Sequence, residues 1–120
     1  MDKQSILVIL PALNEGRNIS TVIQRIQSYV PSAAVLVVND GSLDDTAKQA
    51  QAAGAIVLNM PYNVGIGAAV QTGFKFAAIH DYDIVIRNDG DGQHAPDGIA
   101  RLIAKIAADE ADVIIGSRFI

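Results

Sequence analysis

Asp89 and Asp91 are separated by one residue at the end of a short β-branched run, and acidic pairs at that spacing suit metal chemistry. At the end of an extended segment, residues two apart project to the same side. Two carboxylates held so close repel unless a cation lies between them, and hard oxygen ligands suit Mg2+ or Mn2+. Gly90 and Gly92 let a backbone or a phosphate approach. Gln93 and His94 follow directly, placed to complete a shell or touch a leaving phosphate. Asp-Gly pairs are also common loop residues, so a solvated acidic turn accounts for the same stretch.

Other polar residues repeat the pattern after earlier apolar runs. Asp40 can accept hydrogen bonds from a base N–H or a ribose hydroxyl, since an ionised carboxylate only accepts; alone, it reads more simply as a turn residue before Ser42. Glu15 can do similar work, or complement the dipole of a helix that begins there. Pro11 and Asn14 shape the same loop. Gly65-Ile66-Gly67 ahead of a helix invites a dinucleotide reading, which fails: Val70 stands where the last glycine belongs, and the glycines follow the third strand rather than the first. A helix N-terminus near phosphate, or a plain tight turn, remains open there, with Gly73 and the alanines serving close helix packing. His80 reads as a helix-end surface residue. Arg118 can bind an anion or sit on the surface, and Tyr29, Tyr62, Phe74 and Phe76 read as core or rim.

The elements that must position these residues alternate almost without a break. Ile6–Leu10 reads as a strand buried on both faces and closed by Pro11. Ile19, Val22, Ile23 and Ile26 form the stripe of an amphipathic helix. Val35–Val38 is a second strand, ended by Asn39-Asp40-Gly41-Ser42. Ser42 with Asp45 resembles a capping box before a helix over Thr46–Ala53, and Gly54 sits where a helix end wants positive φ. Ile56–Leu58 predicts a third strand, Ile66–Ile79 a third helix and Asp83–Arg87 a fourth strand. Ile99, Leu102, Ile103 and Ile106 mark a fourth helix, and Asp112–Ile115 opens a fifth strand. Such alternation predicts an α/β domain with a mostly parallel sheet. In such sheets ligands bind at the carboxyl ends of the strands, where the polar residues above all gather.

Composition narrows the function classes. A chain of 120 residues fits one domain, expected to span residues 1–120. There is no cysteine, which excludes disulfides, thiolate zinc sites and cysteine nucleophiles. A formal net charge of -4 argues against nucleic-acid partners. Met-Asp-Lys-Gln-Ser is not a cationic region before an apolar core, so no signal peptide is expected, and the longest apolar run meets Pro11 far short of the ~20 residues a membrane span needs. The expected location is cytoplasmic, at the inner membrane face for a longer parent protein.

Five motifs then appear in order: Pro11-Ala12-Leu13-Asn14-Glu15, Val38-Asn39-Asp40-Gly41-Ser42-x-Asp44-x-Thr46, Asn63-x-Gly65-x-Gly67-x-Ala69, Asp89-x-Asp91-x-Gln93-His94 and Gly116-Ser117-Arg118. With these the chain resembles the nucleotide-sugar-binding half of a family 2 glycosyltransferase. It is most similar to the dolichyl- and polyprenyl-phosphate mannosyl- and glucosyltransferases. The resemblance implies a Rossmann-like, three-layer A-type glycosyltransferase fold. It implies that Pro11, Leu13, Glu15, Asp40, Gly65 and Asp89 contact the donor, with Asp40 reading the base. Asp89, Asp91 and Gln93 would hold Mg2+ or Mn2+, with the two aspartates as catalytic residues, and Arg118 would face the acceptor's phosphate. The implied partners are a nucleoside diphosphate sugar of GDP-mannose or UDP-glucose type and a polyprenyl phosphate. Asn39 and Gly90 depart from the common pattern, where Asp and Ala are usual.

The implied reaction is transfer of the sugar with inversion at its anomeric carbon. The family continues past Gly-Ser-Arg with an acceptor-binding half, so the expectation is a chain that binds donor and metal but turns over poorly alone. It also includes self-association through an exposed sheet edge. Three alternatives remain at this level: a sugar-nucleotide-forming nucleotidyltransferase, a receiver-type signalling domain and a non-catalytic binding module. The first lacks a basic, glycine-rich loop after strand one, and the second lacks an acidic pair there.

Overall fold

A computed structural model describes residues 5–87 of the chain. The expected fourth helix, the fifth strand, and Asp89, Asp91, Gln93, His94 and Arg118 lie outside them. The elements run β1 (Ile6–Ala12), α1 (Ile19–Tyr29), β2 (Ala34–Asn39), α2 (Thr46–Ala52), β3 (Ile56–Asn59), α3 (Ile66–Ile79) and β4 (Ile84–Arg87). All the strand pairs are parallel, in the order β3-β2-β1-β4. Two neighbours of β1 are thus reached by chains running in opposite directions across the sheet, which makes the β1/β4 boundary the point where strand order reverses.

Alternation along the strands divides the interior into two layers. Ile6, Val8, Leu10 and Ala12 of β1 face one side with Val35 and Val37 of β2, and the α1 stripe of Ile19, Val22, Ile23 and Ile26 covers them. Leu7 and Ile9 face the other side with Leu36 and Val38, under Ala69 and Ala77 of α3. Each fully buried Leu or Ile contributes about 1.5–3 kcal/mol, so these two layers hold the sheet in place. Gly73 is where α3 comes closest to β1: a Cβ there would lie 2.8 Å from Ile9 Cγ2. The expected role of the small residues in helix packing holds.

Three local expectations are corrected. Pro11 does not end β1; the strand continues to Ala12, with Pro11 in register with Val38. The Ala12 carbonyl accepts the Asp40 N–H on the β2 side. Hydrogen-bonding groups alternate along a strand, so Pro11's missing donor faces β4, whose described pairing stops at Ile9 opposite Arg87. No ladder bond to β2 is lost. The capping box at Ser42 does not form either. Asp45 is the N-cap of α2 and makes no side-chain cap bond, while Ser42 Oγ accepts the Asn14 N–H from the neighbouring loop at 2.8 Å. The tertiary partner wins over the local one. Gly54 does take positive φ, at 94°, and β4 begins at Ile84 rather than Asp83, whose carboxylate accepts the Ser5 N–H at 2.8 Å.

Candidate functional site

Three loops leave the carboxyl ends of β1, β2 and β3, and hydrogen bonds tie them into one surface. The β1–α1 loop is bound to the β2–α2 loop at four backbone donors. Asn14 N–H donates to Ser42 Oγ, Leu43 N–H to Asn14 Oδ1, Glu15 N–H to Thr46 Oγ1 and Gly16 N–H to Asp44 Oδ2, all between 2.8 and 3.1 Å. Asn14 makes its share from a left-handed backbone, φ 55°, a conformation asparagine tolerates better than most residues. Thr46 is fully buried and donates its hydroxyl to Asp44 Oδ1, which also accepts the Thr46 N–H at 3.0 Å. Chiefly through the Thr46 hydroxyl, and with help from the Gly16 and Thr46 N–H groups, the Asp44 carboxyl is held below its ordinary value.

The β2–α2 and β3–α3 loops meet backbone to backbone. Gly41 has φ 76°, and a Cβ there would lie 2.6 Å from Asn63 N and 2.7 Å from Tyr62 C, so only glycine lets the strands' ends come this close. At the junction sits Asp40, 4% exposed. Its Oδ1 accepts the Val64 N–H at 2.7 Å and its Oδ2 the Gly65 N–H at 3.1 Å. Asn63 Oδ1 accepts the same Gly65 N–H at 3.1 Å. Beside it, Asn39 Nδ2 donates to Asn59 Oδ1 at 2.9 Å, and Asn39 Oδ1 accepts the Ser42 N–H at 3.2 Å. Asp40 is therefore no plain turn residue. It is a buried carboxylate bonded to the first residues of the α3 entry.

This junction separates two hollows. The smaller, about 140 Å3, is lined by Pro11, Ala12, Leu13, Asp40, Asn63, Gly65 and Ile66. The larger, about 580 Å3, opens between the β2–α2 and β3–α3 loops, and its lining includes Leu13, Asn39, Leu43, Tyr62 and Asn63. Leu13, Leu43, Tyr62 and Ile66 are exposed large apolar side chains that rim the two. The combination offers flat apolar surface together with amide and carboxylate groups, which suits a planar ring with polar edges.

The structure brings Pro11, Leu13, Asp40 and Gly65 together on the small hollow. Glu15 stands apart. It lines neither hollow; its carbonyl accepts the Asn18 and Ile19 N–H groups at the start of α1, and its Oε1 accepts from Asn18 Nδ2 at 3.4 Å. The first turn of α1 contains no acidic residue, so Glu15 does not act there as a charge on the dipole either. Gly65, φ 95°, is the N-cap of α3, and two of the N–H groups at that end already face the Asp40 carboxylate. Sequence reasoning passed over Asn63, Tyr62 and Ile66 as site residues; Tyr62 is 67% exposed on the larger hollow. The available signal was their place directly around Gly65, on a loop following a strand. His80 is exposed at the end of α3, as expected, with its ring 4.2 Å from that of Phe76.

Among the described residues, no group of three or more His, Cys, Asp or Glu could hold a metal ion. Nor is any helix among them long and apolar enough to cross a membrane. The acidic pair expected to hold the cation follows β4 in sequence, beyond the described residues.

Comparison with known proteins places this architecture. The chain is 34% identical to a polyprenol monophosphomannose synthase of Mycolicibacterium smegmatis, over 98% of its own length and 46% of the relative's. It is also 34% identical to an undecaprenyl-phosphate mannosyltransferase of Micrococcus luteus, over 94% of the chain and 48% of the relative. The chain thus spans about half the length of these curated relatives. Among solved structures, it is similar to glucosyl-3-phosphoglycerate synthase from Mycobacterium tuberculosis in complex with Mn2+ and UDP-glucose. The TM-score is 0.68 at 32% identity, covering 86% of this chain and 39% of the other. The three-layer arrangement is that of the A-type glycosyltransferases. The Glycosyl transferase family 2 profile matches residues 7–120, and the chain belongs to that family.

Proposed function

We propose that residues 1–120 form the donor-binding part of an inverting, metal-dependent glycosyltransferase that moves a sugar from a nucleoside diphosphate to a polyprenyl phosphate. The observation that carries the reading is the small hollow at the carboxyl ends of the strands, where Pro11 and Leu13 meet a buried Asp40 beside the point of strand reversal. Pro11, Leu13 and Ile66 offer the faces of a base apolar contact, and Asp40, Asn63 and the Gly65 backbone line the remaining wall. The family membership and the polyprenyl-phosphate enzymes among the relatives support the reaction class.

Asp89, Asp91 and Gln93 are the proposed ligands of Mg2+ or Mn2+, supported by their spacing and by the Mn2+ in the similar synthase structure. When bound, the cation supplies neutralisation of charge on the departing diphosphate. The chain's own contribution is positioning: interlocked loops hold the pocket walls before the donor arrives, so little ordering is left for the binding step. Arg118 is the proposed contact of the acceptor phosphate. A phosphomonoester with a second pKa of about 6 is largely ionised at neutral pH, so a lipid-phosphate acceptor needs no general base.

Calorimetric titration with UDP- and GDP-sugars, with and without Mn2+, tests the reading. Metal-dependent heat with at least one donor is expected; its absence with every donor sinks the proposal.

A further inference from the structure

Among the described residues Asp40 is the one carboxylate that is buried. A buried carboxylate is costly unless hydrogen-bonded, and the bonds it makes tell where its charge is used. Here each oxygen accepts a backbone N–H, from Val64 at 2.7 Å and from Gly65 at 3.1 Å. Those donors belong to the loop that separates the two hollows: Asn63 lines both, while Gly65 and Ile66 line the smaller. Gly65 also caps α3 with no side-chain cap bond from itself, at φ 95°. On the far side, Gly41 presses against the backbone of Tyr62 and Asn63. The loop is thus held from β2, and Asp40 is its one charged anchor.

We infer that Asp40 is a positioning residue of the donor pocket: it acts by holding the 63–65 turn in place, and through that turn the wall formed by Asn63, Gly65 and Ile66. The inference rests on the donor-site reading above and deepens it. A carboxylate that only read the base would matter to one base and leave the turn alone. One that positions the wall matters equally to every nucleotide the pocket accepts.

Amide hydrogen exchange by NMR on the full chain, free of ligand, reports the turn directly. In Asp40→Asn one acceptor oxygen becomes an NH2 group facing an N–H donor. Exchange at Val64 and Gly65 is expected to quicken about tenfold or more, with β1 and β2 amides unchanged, as for loss of one charge-assisted bond. Affinities for UDP and GDP with Mn2+ should fall by the same factor for each nucleotide that binds wild type. Unchanged exchange at both amides overturns the inference, as does faster exchange with unchanged affinity, or a loss confined to one base. Gly65→Ala covers the case in which Asp40→Asn does not fold. Its Cβ meets nothing within 4 Å, so it strains only the backbone and leaves Asp40 in place. It should produce the same uniform loss of affinity, and full wild-type affinity would overturn the inference. A wild-type chain that binds neither nucleotide overturns the donor-site reading and this inference together, and shows itself before any variant is compared.

Discussion

Asn14 and Leu43 lie on different loops, yet the Leu43 N–H donates to Asn14 Oδ1 at 2.8 Å while the Asn14 N–H donates to Ser42 Oγ at the same distance. Asn14 thus closes the gap between the turns that follow β1 and β2 with both its backbone and its side chain. Asn14 does this from φ 55°, so residue type and backbone conformation are selected together. Asn14→Ala removes the acceptor and leaves a residue in the left-handed region that tolerates it less well than asparagine. The expected cost is about 1–2 kcal/mol, from one lost hydrogen bond in an exposed loop plus backbone strain. Asn14→Gly relieves the strain alone and should cost about half as much. Urea unfolding midpoints of the two variants check the order; equal midpoints would show that the left-handed backbone carries no part of the cost.

Gly41 and Gly54 both have positive φ, at 76° and 94°, but their surroundings differ. A Cβ at Gly41 would lie 2.6 Å from backbone, whereas at Gly54 the nearest atom is the end of the Gln27 side chain, at 3.4 Å. Gly54→Ala should therefore cost about 1 kcal/mol for conformation alone. Gly41→Ala adds the clash, for about 2–4 kcal/mol in all. It should also weaken donor binding, because the loop it displaces carries Tyr62 and Asn63. Thermal unfolding and donor titration of both variants test this.

Gly73→Ala drives a methyl group against Ile9, with Cγ2 at 2.8 Å and Cδ1 at 3.0 Å. Overpacking of this kind costs about 1–3 kcal/mol. Ile9→Ala alone leaves a cavity under α3 and should cost about 2–5 kcal/mol. The double variant should be more stable than the sum of the two losses, since one change fills what the other empties. Strict additivity in denaturant unfolding would show that α3 does not bear on β1 at this point.

Asp44 carries the pH dependence that can be signed from its bonds. Its folded carboxyl lies below the ordinary 3.8, chiefly because the Thr46 hydroxyl bonds the ionised form. The stability it contributes is therefore complete well above 3.8 and is lost as pH falls through the lower folded value. The difference in Tm between wild type and Asp44→Asn should be constant from neutral pH to about 5 and shrink below 4. A difference that grows on acidification has the wrong sign and would remove Asp44 from the loop network.

Asp91→Ala tests the metal reading and separates an enzyme site from a fold kept only for binding. Loss of the Mn2+-dependent part of donor affinity is expected, by about tenfold or more, with Tm within about 1–2 °C of wild type. Unaltered affinity and metal dependence would leave the pair without a role in binding.

Much of this protein was legible in residue order alone. Apolar runs of β-branched residues at that length read as buried strands, and stripes at three- and four-residue steps as one-sided helices, and the described strand–helix order followed that pattern, with α3 beginning and ending at the expected residues. The gathering of polar residues at one sheet edge also followed, because every parallel strand presents its carboxyl end on the same side. Three things waited for the tertiary structure. Pro11 sits inside β1 because its missing donor points away from β2, a fact about neighbours. Ser42 serves Asn14 instead of its own helix because the loop after β1 brings the Asn14 N–H to 2.8 Å, while α2 begins only at Thr46. Asp40, a turn residue by its flanking sequence, became a buried anchor only when β3 brought Val64 and Gly65 to within hydrogen-bonding distance. Local pattern determines which face of an element is apolar; which polar atoms meet between loops depends on strand order, and strand order is decided by packing across the whole sheet.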